Sequence, residues 1–183
     1  MAGEADAFGE LFERHHLRVY NYCFRRTASW STAEDLMAVV FLEAWRTRRH
    51  MHLTDGSLLP WFYAIATNVT RHQYRSTARH QAALERVASR LTTIPDHAEE
   101  IVDRISDEQR MKSVRAALTQ LPQREQDVLE LAVFAGLDYV QIGAVLDIPV
   151  GTVRSRLSRG RNRLRGIVGE NSNYSDKIEE AYP

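Results

Sequence analysis

The 183-residue chain is poor in residues that mark several large protein classes. It has one cysteine, Cys23, so no disulfide framework can form within the chain, as expected in a reducing compartment. Nine glycines, five prolines and few β-branched runs favour helices over sheets. Neither a signal peptide nor a membrane span is apparent, so we expect a cytoplasmic protein without membrane insertion.

The sequence also lacks the patterns of an enzyme or a metalloprotein. It contains no glycine-rich phosphate loop and no Ser-His-Asp arrangement. His50 and His52 could contact a metal ion, but no cysteine or carboxylate cluster completes a site. We therefore expect no catalytic residues, no cofactor and no metal.

The 24 basic and 24 acidic side chains cancel, but they are unevenly distributed. Residues 1–80 hold ten basic and eight acidic side chains, and residues 107–166 hold ten and seven. Residues 81–106 hold three basic and five acidic side chains, and residues 167–183 hold one and four. This alternation is typical of two DNA-facing blocks with an acidic connector and an acidic tail.

The positive charge is most concentrated in residues 149–165, PVGTVRSRLSRGRNRLR, which contain six arginines and no acidic residue. Helical spacing predicts an apolar stripe made of Val153, Leu157 and Leu164, with Gly160 beside it. The opposite face carries Ser155, Arg159 and Asn162, flanked by Arg154, Arg156, Ser158 and Arg163. Such a helix would pack on one side and contact phosphates and base edges on the other.

The preceding residues complete a helix-turn-helix pattern. Residues 138–146 predict a short helix with Asp138 and Gln141 as a capping box. Residues 147–149 then form a tight turn, and Thr152 is the expected cap of the basic helix. In a helix-turn-helix, the second helix enters the major groove of DNA.

The N-terminal residues predict helices over 6–27, 31–49 and 57–79. The third helix has an apolar side and a polar, basic side, the latter formed by Asn68, Arg71, His72, Arg75 and Arg79. That side can touch a nucleic-acid backbone and bases. Trp61 lies near it and either stacks on unpaired bases or belongs to the core.

Residues 81–106 lose the helical pattern and contain Pro95, which predicts a linker with at most a partial helix over 82–91. Helices are then expected over 106–121 and 123–134, before the helix-turn-helix. The expected fold is all-α: two small helical domains at 1–80 and 107–168 joined by a flexible linker. The C-terminal domain has four helices and ends in the helix-turn-helix, and residues 169–183 form an acidic, disordered tail.

From Phe8 to about Val168, the chain resembles a bacterial RNA polymerase sigma factor of the extracytoplasmic-function (ECF) class, within the sigma-70 superfamily. The similar segments are AEDLMAVVFLEAW at 33–45, PWFYAIATNVTRHQYR at 60–75, ALTQLPQREQDVLEL at 117–131 and GTVRSRLSRGRNRLR at 151–165. Each motif alone is moderately specific, and their order and spacing together are very specific.

The resemblance implies two helical domains that direct core RNA polymerase to promoters. It places the polymerase-binding surface at Glu34, Asp35, Leu36 and Phe41. It places contacts to the −35 element at Gly151, Thr152, Arg154, Ser155, Arg156, Ser158 and Arg159. With the basic stripe and its neighbouring aromatic residue, it assigns the melted −10 strand to Trp61, Asn68, Arg71, His72, Arg75 and Arg79.

The implied partners are the β′ clamp helices and β flap of core polymerase, promoter DNA and an anti-sigma factor. Ala38, Val39 and His72 depart from residues common in the family. Two alternatives are a free-standing helix-turn-helix regulator that works without polymerase and a helical interaction protein. The second basic helix argues against the first, and the intact arginine-rich helix argues against the second.

Overall fold

A computed structural model of the chain describes the backbone of residues 2–84 and 101–181, with side chains over 4–76 and 106–169. The regular elements of these residues are helical, apart from an isolated Thr54–Ser57 bridge, which confirms the all-α prediction. The helices are α1 (Ala2–Thr27), α2 (Trp30–Arg46), α3 (Leu59–Leu84), α4 (Ile101–Leu118), α5 (Gln123–Val133), α6 (Tyr139–Leu146) and α7 (Val150–Ala181), with a 3-10 turn at Arg48–His50.

The first three helices pack around an aromatic centre. Phe41 of α2 contacts Phe12 of α1 and Phe62 of α3, with ring centroids 4.8 and 5.1 Å away. Cys23 is a free, buried thiol in the same core, and burial raises its pKa to about 12. A protonated, buried thiol packs as a small apolar side chain. The cysteine therefore contributes to the core of the N-terminal half, which we define as α1–α3.

The C-terminal half, α4–α7, is organised around α5 and α7. The apolar stripe of α7 is buried, as the helical wheel predicted, with Val153 and Leu157 almost fully covered. A Cβ atom on Gly160 would lie 2.8 Å from Leu129 Cδ1 and 3.4 Å from Glu125 Cβ. Glycine therefore lets α7 lie directly against α5, which confirms the close approach inferred from the sequence.

The two halves contact each other, because α1 packs on α4 and α3 packs on α6. The division into domains at 1–80 and 107–168 stays a prediction. Residues 85–100, most of the predicted linker, lie outside the described residues. At its edges the helices extend further than predicted, since α3 continues to Leu84 and α4 begins at Ile101.

Two other boundaries also differ from the expectation. Ser106 lies inside α4 rather than at its start, so the predicted helix start there was wrong. The backbone of α7 is helical through Ala181, where the sequence predicted a disordered tail from residue 169. No proline interrupts residues 150–181, so helical hydrogen bonding can continue past the glycines at 166 and 169. Within the described residues, no helix has the length and apolar character needed to cross a bilayer.

Replacing Gly160 with alanine should lower the free energy of unfolding by about 1–3 kcal/mol, because the added methyl group would overpack α7 against Leu129. Urea unfolding followed by circular dichroism measures this change. Gly166→Ala is the matched control, since nothing lies within 4 Å of its added Cβ. That control should be neutral or stabilising by up to about 1 kcal/mol. Equal stability of Gly160→Ala and the wild type would contradict the close approach.

Candidate nucleic-acid interface

The helix-turn-helix begins with the predicted capping box at α6. Asp138 Oδ1 accepts hydrogen bonds from the backbone N–H groups of Val140 (2.8 Å) and Gln141 (2.9 Å). In return, Gln141 Oε1 accepts from the backbone N–H of Asp138 at 3.2 Å. These bonds satisfy amides that the first helical turn leaves unpaired and fix where α6 begins.

The turn between α6 and α7 is shaped by two residues with special backbone requirements. Asp147 adopts a left-handed conformation (φ 52°, ψ 55°) and ends α6. A Cβ atom on Gly143 would lie 2.9 Å from the carbonyl oxygen of Ile148, so this position needs glycine. Thr152 was wrongly predicted as the cap of α7. It lies in the first turn, where its backbone N–H donates to the Pro149 carbonyl at 2.8 Å.

The solvent-facing side of α7 carries most of the residues assigned to the −35 element. Gly151, Arg154, Ser155, Ser158 and Arg159 are exposed, while Thr152 and Arg156 are half-buried. Arg159 Nε donates to the Ser155 carbonyl oxygen of its own helix at 3.2 Å. The Arg154 guanidinium lies 5.8 Å from the Tyr139 ring centroid, so the first helix of the motif also helps to position it.

Arg163 has a different environment from the other arginines of α7. Its Nη1 lies 3.3 Å from Glu125 Oε2 on α5, so it is paired within the C-terminal half. This ion pair is close to Gly160 and reinforces the packing of α7 on α5. Arg163 therefore supports the orientation of the helix, and Arg154 and Arg159 remain on the side facing solvent.

A second polar surface lies between α2 and α3. A cavity of about 470 Å³ there is lined by side chains that include Asn68, His72 and Gln73 of α3. Leu36, Val39 and Glu43 of α2 line its other side. Two residues assigned to the −10 strand thus share one concave site with part of the α2 surface assigned to polymerase binding.

Three other residues assigned to the −10 strand are placed differently. Trp61 is only 7 % exposed and packs against Phe62 in the core, so its placement among base-stacking residues is corrected. Its position at the start of α3 falls on the apolar face, which is covered by the N-terminal core. Arg75 is exposed, and the side chain of Arg79 lies outside the described side chains.

Arg71, which the sequence assigned to nucleic-acid contact, pairs with a carboxylate of the chain itself. Its Nε donates to Asp127 Oδ1 at 3.1 Å, and its Nη2 donates to Asp127 Oδ2 at 2.6 Å. Asp127 belongs to α5 in the other half of the chain and is 2 % exposed. Sequence reasoning missed Asp127, although Asp127 and Glu130 are three residues apart and therefore share one face of α5.

Of the four residues assigned to polymerase binding, two are exposed on α2 and two are buried beneath it. Glu34 and Asp35 are exposed, while Leu36 and Phe41 are buried beneath them in the core. Beside the two carboxylates, α2 exposes an apolar patch formed by Val39 (42 % exposed) and Leu42 (57 %). Leu42 was missed by the sequence reasoning. Its signal is its place one residue after buried Phe41, which turns it toward solvent.

Within the described part of the chain, no three His, Cys, Asp or Glu side chains are grouped so that they could hold a metal ion. His52 Nδ1 lies 3.2 Å from the carbonyl oxygen of His50, so one histidine of the pair considered above has a local backbone contact. The two surfaces described above present guanidinium, amide, imidazole and apolar groups.

Comparison with known proteins finds two family models and several proteins that the chain resembles. The family described as "Sigma-70 region 2" matches residues 11–80, and that described as "Sigma-70, region 4" matches residues 111–164. RNA polymerase sigma factor CarQ of Myxococcus xanthus is 32% identical over 168 residues, covering 92% of each chain. ECF RNA polymerase sigma factor SigW of Bacillus subtilis is 27% identical over 169 residues, covering 89% of each.

Two solved structures share the arrangement of helices at 20% sequence identity. CnrH, in complex with the cytosolic domain of CnrY, has a TM-score of 0.65 and 92% coverage of each chain. The sigma factor RpoE from Bartonella quintana, in complex with the anti-sigma factor NepR, has a TM-score of 0.62, covering 89% of this chain and 97% of RpoE. At this identity the likeness concerns the fold.

Replacing Asp138 with alanine should cost about 0.5–2 kcal/mol of stability, because two amides of α6 lose their acceptor. Asp138→Asn keeps a capping oxygen and serves as the control, with a smaller expected loss. Both are compared by urea unfolding and by the amide exchange of residues 139–146. Unchanged protection in Asp138→Ala would show that the capping box does not hold this end of α6.

Proposed function

Because this chain belongs to the ECF family of sigma-70 RNA polymerase sigma factors, we propose that it grips a promoter at two places while bound to core polymerase. The chain directs RNA polymerase to promoters for transcription initiation. Its family consists of regulatory proteins rather than enzymes. In our proposal α7 reads the −35 element, α3 captures the melted −10 strand, and α2 docks on the polymerase.

The observation that carries the −35 assignment is the division of α7 into two sides. Val153, Leu157 and Gly160 hold one side against the C-terminal core, so its orientation is fixed. Arg154 and Arg159 project from the other side, where no acidic side chain occurs between residues 148 and 169 to neutralise them. A helix held in this way can enter the major groove with guanidinium groups facing the bases.

Exposed Gly151 and the short side chains of the first turns support the same assignment. Gly151 has nothing within 4 Å of an added Cβ, so the helix start can come close to a DNA backbone. Helix N-termini also attract phosphate through their free N–H groups. The proposed −35 set is Gly151, Thr152, Arg154, Ser155, Arg156, Ser158 and Arg159.

The cavity between α2 and α3 is our proposed site for the −10 strand. Asn68 and His72 supply hydrogen-bonding groups at its wall, and apolar Val39 and Val69 supply surface for a base. Single-stranded DNA is recognised by such combinations of polar edge contacts and surfaces that cover a base. Arg71 lies between the two polar residues on α3, and Arg75 and Arg79 follow them. In our proposal these three arginines contact the strand's phosphates, Arg71 once it leaves Asp127.

The exposed side of α2 is our proposed docking surface for the β′ clamp helices. It combines the carboxylates of Glu34 and Asp35 with the apolar patch of Val39 and Leu42. Mixed surfaces of this kind suit protein partners, since an apolar centre with a charged rim gives both affinity and orientation. In our proposal Val39 and Leu42 make the centre of this contact apolar.

We extend the proposal to domains, location and an inhibitory partner. Residues 1–80 and 107–168 act as the two domains, 81–106 as their connection and 169–183 as an acidic extension. The working chain is placed in the cytoplasm, where bacterial RNA polymerase and promoters meet.

RpoE and CnrH are found in complexes with NepR and CnrY. By analogy an anti-sigma factor covers the α2 patch, and the β flap takes the apolar cavity of about 230 Å³ between α4, α5 and α7.

Run-off transcription tests this function directly. Purified chain and core polymerase are combined on a library of genomic fragments, and the starts that depend on the chain are mapped. A free-standing regulator would bind duplex DNA without starting transcription. Such a regulator would have no need of the region 2 that matches residues 11–80. No association with core polymerase, together with no new start site, would refute the proposal.

Arg159→Ala should weaken promoter binding by about 1–3 kcal/mol and relax discrimination at one −35 position, because a bidentate contact to a base is lost. Binding of polymerase holoenzyme to promoters with single −35 substitutions measures this. Arg159→Lys is the control, since lysine keeps the charge but not the forked geometry. If Arg159→Ala loses affinity equally on all sequences and Arg159→Lys retains it, Arg159 contacts phosphate only.

His72→Ala should leave binding to a duplex −35 element unchanged and should impair open-complex formation, because an edge contact in the α2–α3 cavity is lost. Permanganate footprinting of melted thymines measures opening. His50→Ala, an exposed histidine outside the cavity, is the matched control and should melt normally. Normal melting by His72→Ala would remove His72 from the proposed site.

A further inference from the structure

Five charged residues meet where the two halves of the chain touch. Arg26 of α1 and Arg71 of α3 come from the N-terminal half, and Arg115, Asp127 and Glu130 come from the C-terminal half. We call this set the inter-half cluster. Arg26 Nη2 lies 3.3 Å from Asp127 Oδ1 and 3.1 Å from Glu130 Oε2, and Arg115 pairs with Glu130.

The inter-half cluster is shielded from water. Arg26, Asp127 and Glu130 are each at most 2 % exposed, and Arg115 is 8 % exposed. Removing such charges from water is costly, so they are held there only while oppositely charged partners face them. Burial opposes the charge of Arg26, but Tyr22, Glu130 and Asp127 outweigh it and raise the pKa of Arg26 above its ordinary value. Arg26 is therefore charged whenever the two halves are together.

Arg71 differs from the other members because it lies at the edge of the cluster. Its side chain is 27% exposed, and both of its contacts go to the two oxygens of Asp127. This parallel, two-bond geometry is the one that a guanidinium also uses to bind a phosphate. Asp127 thus occupies the two Arg71 donors that a parallel, two-bond contact to a backbone phosphate would need.

We propose that Asp127 is an internal competitor of the −10 strand, which it excludes from Arg71 in the free chain. The two halves are then closed on each other by the inter-half cluster, and strand capture at Arg71 requires them to separate. This inference rests on the proposed function of α3, and it adds a regulatory contact that is built into the chain. Its partner is the chain's own α5 rather than a second protein.

Other contacts support closure as a specific arrangement. The backbone N–H of Trp30 at the start of α2 donates to Glu108 Oε1 of α4 at 2.9 Å. Arg25 Nη1 donates to the Phe134 carbonyl oxygen at 3.2 Å. The Arg115 guanidinium lies 5.1 Å from the ring centroid of Tyr74 on α3. All three contacts join the two halves, so separation would release them together with the Arg71–Asp127 pair.

Removing the Asp127 carboxylate should open the chain. Arg26 and Arg115 would then share Glu130, and Arg71 would lose its carboxylate partner. The excess of positive charge at the contact would favour separation of the halves. Opening also frees Arg71 for phosphate. Since apparent affinity scales with the fraction of chains that are competent to bind, single-stranded DNA should bind more tightly to the opened chain.

The test measures the distance between the halves of the full chain by fluorescence energy transfer. Labels are attached through Glu10→Cys on α1 and Gln120→Cys just after α4, both exposed positions. Buried Cys23, with its raised pKa, stays unlabelled. Asp127→Asn is compared with Glu125→Gln, which removes a buried carboxylate from the same helix but one that pairs with Arg163 in its own half.

We expect Asp127→Asn to lower energy transfer and to bind a single-stranded −10 oligonucleotide at least about threefold more tightly. Glu125→Gln should change neither. Arg71→Ala should open the chain without gaining affinity, because it loses the phosphate contact as well. Circular dichroism checks that each variant is folded. If Asp127→Asn does not fold, the labelled wild type replaces it in the test. Adding the oligonucleotide to the wild type should then lower energy transfer by itself.

Unchanged energy transfer in folded Asp127→Asn, or in wild type saturated with oligonucleotide, would overturn the closure. Opening without tighter binding would overturn the competition for Arg71. An oligonucleotide that binds no variant would instead show that the −10 assignment of α3 is wrong, and the competition would fall with it. That failure is separate from the distance measurement, which depends on no DNA.

Discussion

The structure depends on burying a polar helix. All residues from Glu125 to Leu131 in α5 are buried, and three of the seven are carboxylates. A buried carboxylate needs a cationic partner, since its desolvation is otherwise too costly. Glu125 pairs with Arg163 of α7, Asp127 with Arg26 and Arg71, and Glu130 with Arg26 and Arg115. The charges of α5 therefore set which helices can surround it, and they join the two halves of the chain.

The same helix determines how the arginines of α7 are used. Gly160 and Arg163 hold α7 against α5, so the opposite side of α7 must face outward. A protein with no net charge can then present a strongly basic surface, because much of its acidic charge is turned inward or kept in the connecting and terminal segments. This separation of charge is what lets a neutral chain approach the phosphates of DNA.

The N-terminal half is held together by aromatic packing and carries two adjoining candidate binding surfaces. Aromatic packing around Phe41 holds α2 against α1 and α3, and the cavity between α2 and α3 has polar and apolar walls. The apolar patch of Val39 and Leu42 lies on the same helix as that cavity. A partner that binds α2 would therefore lie next to the site proposed for the −10 strand, so that docking and strand capture involve adjoining surfaces.

The sequence by itself determined the all-helical fold, the capping box at Asp138, the buried stripe of α7 and the family. These features depend on local spacing, which a helix imposes over a few residues. It did not exclude Trp61 from the DNA surface or reveal that Arg71 faces Asp127. An aromatic residue on an amphipathic helix has the same spacing whether it is covered or exposed. Residues 71 and 127 are distant in sequence, and only the packing of the two halves decides that they meet.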